Sequence, residues 1–410
     1  MILENEARYD MQKPPFRQHL GWLIWLLSFF VLRLHKNHIT RENMEGVKAP
    51  YLLLCNHNAF MDFMVASHAL RLQRTNFVVA IDGFIKREWL LRFIGCICTR
   101  KFVSDLTLVK QVKTVIDRGD VACIYPEARY SLCGTTAVLP DSIGKLAKLL
   151  GVPVVVLICH GHHINSPFYH LPDHGVKGTQ AEFRCILTAE EVKKLKVQEI
   201  MQRIREAFVY DDFRWQQENH VRVKYKKRAE GLQKVLYQCP HCMTEYRMST
   251  SGTTLRCDAC GKEWTLDEYG KLHAKEGETE FWHVPDWYEW ERENVRREVE
   301  AGTYSLHIPA RVDALPNAKG YIDLGKATLV HDMQGFRVTG TYQGEGYEVV
   351  RPANEIYSCH IEYEYLGKFG DCIDLNTKDN TYYIYPEGKD FAVTKIALAT
   401  EELYEASRRK

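Results

Sequence analysis

In the stretch Asn56-His57-Asn58-Ala59-Phe60-Met61-Asp62 an imidazole and a carboxylate stand five positions apart, directly after the apolar run Tyr51 to Cys55. If the chain leaves a strand at Cys55 and enters a helix near Phe60, His57 falls in the turn and Asp62 in the first helical turn, within reach of each other. A neutral imidazole whose one ring N–H is held by a carboxylate can take a proton on its other nitrogen. The pair therefore reads as a general base and its orienter, with Asn56 as a polar neighbour facing a substrate. The bland reading of an isolated His-x4-Asp is a helix capped by Asn56 or Asn58, with His57 and Asp62 facing solvent.

A second constellation is Cys239-Pro-His-Cys242, fourteen residues, then Cys257-Asp-Ala-Cys260. Two C-x2-C knuckles at this spacing supply four thiolates for a closed tetrahedral site, which points to structural Zn2+ rather than to redox chemistry, which needs one such pair. The span between the knuckles holds two arginines and no basic stripe, so no nucleic acid is expected as a partner. The cluster His160, His162, His163 at the end of another apolar run reads as loop rather than as a metal site.

The elements that must position these groups follow from composition and periodicity. The chain has 410 residues, 45% hydrophobic and 26% charged, enough for two or three folded domains. Fifty-four basic and 53 acidic residues leave a net charge of +1, which excludes a global field for polyanions and makes any anion binding local. Thirteen cysteines, nine of them outside the two knuckles and several within apolar runs, suit a reducing compartment.

From residue 51 to about 187 the strand-like runs YLLLC, FVVAI, VACIY, VVVLIC and FRCIL alternate with helical patterns. One of these places Leu106, Val109, Val112 and Ile116 at helical spacing, and another starts at Asp141 or Ser142 and stops at Gly151. Alternation of this kind predicts an α/β domain on a mostly parallel sheet covered on both faces. Thr188 to Leu236 reads as long charged helix. After the cysteine knuckles come an amphipathic helix ended by Gly302, several alternating strands with a hairpin at Asn376 to Asn380, and a closing helix. That order predicts an α+β module of the pleckstrin-homology type. The expected organisation is residues 1–40 as an N-terminal membrane-associated helix, 41–235 as the α/β domain, 236–270 as a zinc ribbon and 280–410 as the β-rich module.

Leu20 to Leu32 contains no charge. Thirteen helical residues reach only about 20 Å, short of a hydrocarbon core of about 30 Å. Lys13 and Arg17 precede the run, Arg33, His35 and Lys36 follow it, and Trp22 and Trp25 lie within it. The segment reads as a monotopic helix embedded in one leaflet at the cytoplasmic face of a membrane, with basic flanks at phosphate level.

Downstream of His57 and Asp62, the blocks Gly95 to Lys101, Tyr125 to Ser131 and Gly151 to Ile158 follow in fixed order. Together, over about residues 15–210, the four blocks resemble the glycerolipid acyltransferase family, typified by 1-acylglycerol-3-phosphate acyltransferases. The resemblance implies that His57 takes a proton from an acceptor hydroxyl while Asp62 fixes its tautomer, and that the oxygen attacks an acyl thioester carried by acyl carrier protein or coenzyme A. It places Arg100, Lys101, Glu127 and Arg129 in the pocket for the acceptor, a lysolipid or glycerolipid such as 1-acylglycerol 3-phosphate at the membrane surface. The family's P-E-G-T-R-S stands here as Pro126-Glu127-Ala128-Arg129-Tyr130-Ser131, with the arginine one position early; Lys101 stands where arginine is usual, and Ala59 where serine is usual. The rival expectation is a catalytically silent lipid-binding or scaffold protein acting through its C-terminal modules.

Overall fold

Tyr51 to Ile158 contains three runs with no polar side chain facing either way, and they become the centre of a sheet. The structure, a computed structural model, describes residues 8–170 and 172–409. Residue contacts divide the chain into two units, one of Asp10–Thr99 and Asp105–Lys224 and another that takes Tyr225–Lys410 together with Arg100–Ser104.

The first unit opens with helix α1 (Gly21–Leu34) and strand β1 (His38–Glu42). There follow β2 (Leu52–Cys55), α2 (Met61–Ala69), β3 (Thr75–Ala80), α3 (Glu88–Phe93), β4 (Ile97–Thr99), α4 (Leu106–Asp117) and β5 (Val121–Ile124). It continues through α5 (Ser142–Leu150), β6 (Val154–His160), α6 (His162–Asn165), β7 (Gln180–Leu187), α7 (Ala189–Lys194), α8 (Val197–Ala207) and α9 (Asp212–Glu218). The seven strands form one sheet in the order β1-β7-β6-β2-β5-β3-β4. Every pairing is parallel except β6 with β7. Strands β2 and β5 are buried at every position, as expected for a sheet covered on both faces. The expected mixed, parallel-rich architecture is present, with β1 and β4 added as the two edges.

Two details depart from the periodicity reading. Leu106, at the first position of α4, is exposed, and the packed stripe is carried by Leu108, Val112, Val115 and Ile116. The single long helix expected over Thr188 to Leu236 is instead three short ones. Thr188 caps α7 and Glu191 returns the bond to its N–H, Leu195 leaves helical geometry, and Asp211 caps α9. Charged composition made this segment look uniform, whereas capping side chains set its breaks.

The second unit holds β8 (Met248–Ser251), β9 (Thr254–Cys257), β10 (Glu263–Leu266) and β11 (Leu272–Ala274), an antiparallel four-stranded sheet. Helix α10 (Val284–Glu300) follows. A seven-stranded antiparallel sheet comes next, built from β12 (Ser305–Ala314), β13 (Ile322–Asp332), β14 (Gly335–Tyr342), β15 (Glu345–Pro352), β16 (His360–Glu362), β17 (Cys372–Asn376) and β18 (Thr381–Pro386). Helix α11 (Val393–Arg409) closes the chain. It is tied to α10 by Arg292 on Glu401 at 2.6 Å and Arg296 on Glu402 at 2.8 Å. Trp264 of β10 packs edge-on against Trp287 of α10 at 5.0 Å.

Candidate active site

His57 sits in the turn between β2 and α2, and the loop between β5 and α5 holds it there. Its carbonyl accepts from Ser131 N–H at 2.8 Å, and its own N–H donates to Glu127 Oε1 at 3.2 Å. The ring lies between Tyr125 and Tyr130, with centroids at 4.4 and 4.2 Å. Its side chain is 24% exposed, whereas Asp62 is fully buried. Nδ1 of His57 is 3.5 Å from Asp62 Oδ2, an approach longer than a hydrogen bond, of the kind that tightens when a substrate is engaged. With Nδ1 facing Asp62, Nε2 lies on the other side of the ring.

Asp62 is the hub. Oδ2 accepts from the backbone N–H of Asn58 at 2.5 Å and of Ala59 at 2.9 Å, so the carboxylate closes the first turn of α2 while its charge complements the helix N-terminus. Oδ1 lies 2.5 Å from Nδ1 of His162, itself buried. Burial alone would raise the Asp62 carboxyl, but the hydrogen bond to His162 first and the nearby His57 second outweigh it and hold the group well below the ordinary carboxylate range. The site keeps a buried, ionised carboxylate beside a partly exposed imidazole.

Glu127 is buried, and its oxygens are occupied by main chain: Oε1 by His57 N–H, Oε2 by Ala137 N–H at 2.8 Å. Burial pushes its carboxyl up to about 8 against those donors, the Tyr210 hydroxyl and the Arg129 charge. The Tyr210 hydroxyl lies 3.2 Å from Glu127 Oε2 and 3.1 Å from Asn58 Oδ1. The hydroxyl carries one proton, so it donates to Glu127 or to Asn58 at any one time. Ala128, where the resemblance expects glycine, takes φ +55, a conformation that costs an L-residue about 1–2 kcal/mol.

The remaining predicted residues divide. Asn56 is buried and bonds both main-chain groups of Cys159, donating to its carbonyl at 2.9 Å and accepting its N–H at 2.8 Å; it fastens β2 to β6. Arg129 is buried beside Glu127. Arg100 belongs to the other unit, where its guanidinium donates to the carbonyls of Leu315, Pro316 and Asp379 and to Thr381 Oγ1. Lys101 lies 3.8 Å from Asp374 in that unit. Neither is brought to His57 by these contacts. His162, read from sequence as loop and not as a metal ligand, is instead buried in a helical turn, where with Asp62 and Cys159 it forms a group that can hold a metal ion. Gly161 at φ +83 ends β6 and starts the single turn α6, which turns His162 onto Asp62. Non-local pairing supplied the carboxylate that the local sequence lacks.

The four blocks can now be set against known proteins. Residues 19–160 match the acyltransferase family model. A solved structure, the 1-acyl-sn-glycerophosphate (LPA) acyltransferase PlsC from Thermotoga maritima, is similar at 12% identity with a TM-score of 0.35, covering 46% of this chain and 78% of that one. No curated protein matches the chain. His57, Asp62, Glu127 and Arg129 lie within the matched acyltransferase region, and His162 lies two residues beyond it.

In the second unit Cys239, Cys242, Cys257 and Cys260 bring their sulfurs within 4.8 Å of one another, as a group that can hold a metal ion. Sγ of Cys239 is 3.9 Å from that of Cys260, and Sγ of Cys242 is 3.7 Å from that of Cys257. Tetrahedral coordination at about 2.3 Å per Zn–S bond requires sulfurs ~3.8 Å apart, so the donor set fits that ion.

Proposed function

We propose that the chain transfers an acyl group from a thioester to a hydroxyl of a lysophospholipid or related glycerolipid at a membrane surface. The observation that carries this reading is the buried Asp62 carboxylate, held ionised by His162 and two N–H donors, facing the partly exposed imidazole of His57. The match of residues 19–160 to the acyltransferase family supports it.

In this mechanism the acceptor hydroxyl gives its proton to Nε2 of His57 as its oxygen forms a bond to the thioester carbonyl carbon. Asp62 steadies the imidazolium. Collapse of the tetrahedral adduct breaks the C–S bond, and the departing thiolate of coenzyme A or acyl carrier protein takes the proton back from His57, leaving an ester and a free thiol. Tyr125 and Tyr130 hold the imidazole plane, Glu127 positions its main chain, and Arg129 is the buried arginine of this unit beside Glu127 on the acceptor side.

The four cysteines bind a structural zinc, and the seven-stranded sheet with its closing helix is a pleckstrin-homology-like module. No helix among the described residues is long and apolar enough to cross a membrane. Helix α1, with Trp22, Leu27, Phe30 and Leu34 exposed, rests in the cytoplasmic leaflet. Mass spectrometry of products from a panel of lysolipids offered with acyl-coenzyme A and acyl carrier protein donors tests this function. A new ester from at least one pair is expected; none from any pair, with the folded full chain on membranes, contradicts it.

A further inference from the structure

Helix α1 is apolar on more than the face it packs. Trp22, Leu26, Leu27, Phe30 and Leu34 are exposed, while Trp25, Phe29 and Leu32 turn inward and floor a cavity of about 1080 Å³ closed by β1 and the end of α2. That volume is slightly above the usual range of ligand pockets, roughly 300–1,000 Å³. Trp25 stacks on Phe29 at 5.9 Å and on His68 at 5.7 Å, a flat apolar surface suited to a hydrocarbon chain.

The rim has the opposite character. Arg33, Lys36, Arg41 and Arg71 line the same cavity, and no Asp or Glu does. Among the described residues no carboxylate forms an ion pair with any of the four. Two of them crowd each other: burial first, and the Arg71 charge second, hold the Arg41 guanidinium below its ordinary value. The neighbouring His68 is lowered by burial and then by the same two arginines. Trp25 Nε1 and His68 Nδ1 are buried with no hydrogen-bond partner. Uncompensated cations and orphaned ring nitrogens around an apolar floor describe a site for an amphiphile with an anionic head.

We propose that this cavity seats one anionic phospholipid of the membrane surface, with its phosphate among Arg33, Lys36, Arg41 and Arg71 and an acyl chain on the Trp25, Phe29 and Leu32 floor. The exposed apolar stripe of α1 beside the cavity selects a membrane lipid as the occupant over a free phosphate. The site is separate from the acceptor's. Strand β1 is three places from β2 in the sheet, ~14 Å at about 4.8 Å per strand. Arg71 lies two residues past the end of α2, and the seven-residue step from Asp62 to Ala69 alone rises ~10 Å. A phosphate held there is farther from His57 than the few bonds between phosphate and free hydroxyl in a lysolipid can span. The inference rests on the membrane reading of α1 and is independent of acyl transfer.

Native mass spectrometry and vesicle flotation of the full chain test it. The chain should retain one phosphatidylglycerol but no phosphatidylcholine, and millimolar inorganic phosphate should not displace it. Arg41→Gln/Arg71→Gln should lose the retained lipid and bind phosphatidylglycerol-containing vesicles roughly thirtyfold more weakly. Because Arg41 also bonds the Ala69 carbonyl and stacks on Phe183, Arg33→Gln/Lys36→Gln provides a second variant with the same expected direction. Lys110→Gln/Lys145→Gln removes two exposed cations elsewhere in the unit and should leave retention unchanged. Equal loss in that control, equal retention of phosphatidylcholine, or displacement by inorganic phosphate would each overturn the proposal. Because none of these readouts requires turnover, their failure is distinguishable from failure of the acyltransferase reading.

Discussion

Asp62 Oδ1 and His162 Nδ1 lie 2.5 Å apart, although a hundred residues separate them. The carboxylate that faces His57 is thus gripped from behind by a second imidazole. The grip matters because Asp62 has no solvent to stabilise its charge: two backbone N–H groups and His162 bond it, with His57 and Cys159 close by. On the proposed mechanism His162 is a positioning residue, acting through Asp62 on His57.

Replacing that donor separates the role from general packing. His162→Leu removes a charge-assisted hydrogen bond of about 1.5–3 kcal/mol, so kcat should fall roughly ten- to a hundredfold with the acceptor's KM little changed. His162→Gln can still present an N–H to Oδ1 and should recover much of the loss. Equal rates for the Leu variant and the parent chain, or no recovery with Gln, would remove His162 from the mechanism.

Glu127 gives a pH-dependent signature. Its folded-state value, raised by burial from 4.5 to about 8, means that between those limits the folded chain binds a proton the unfolded chain does not. Stability from this site is therefore fully present below about pH 4.5 and is lost as pH rises toward about 8. Glu127→Gln is neutral throughout. The thermal-unfolding difference between parent and variant should shift against the parent by a few kilocalories per mole across that window; Asp212, which burial raises to about 6, is common to both and cancels. A constant difference would show that Glu127 stays ionised.

The cysteine group makes an elemental prediction. Folded chain should carry one zinc, and Cys257→Ser should lose it. Structural sites of this kind contribute on the order of 10 kcal/mol to a small module, so hydrogen exchange should rise across β8 to β10 while the α/β unit keeps its protection. Much less than one zinc per folded chain would contradict the assignment.

The alternation of apolar runs made the parallel-rich sheet legible because its central strands are buried on both faces, and the His57 to Asp62 spacing located the turn and the helix that hold them. Local spacing could not show His162 on Asp62, since that contact depends on β6 lying beside β2. It could not show that Asn56 is consumed by the main chain of Cys159, or that the guanidinium of Arg100 is taken up by carbonyls more than two hundred residues on. A cation's partner is set by tertiary geometry, and a block motif records only its place in the chain.

The central claim is that His57 is the base. The most direct measurement is the single-turnover rate of acyl transfer by His57→Ala, with circular dichroism and lipid binding confirming its fold, on whichever donor and lysolipid the parent chain uses. General-base catalysis supplies typically 10²- to 10⁴-fold, so the variant should be slowed by at least about a hundredfold, with Asp62→Asn following it part of the way. Parent-like turnover by folded His57→Ala would contradict the account.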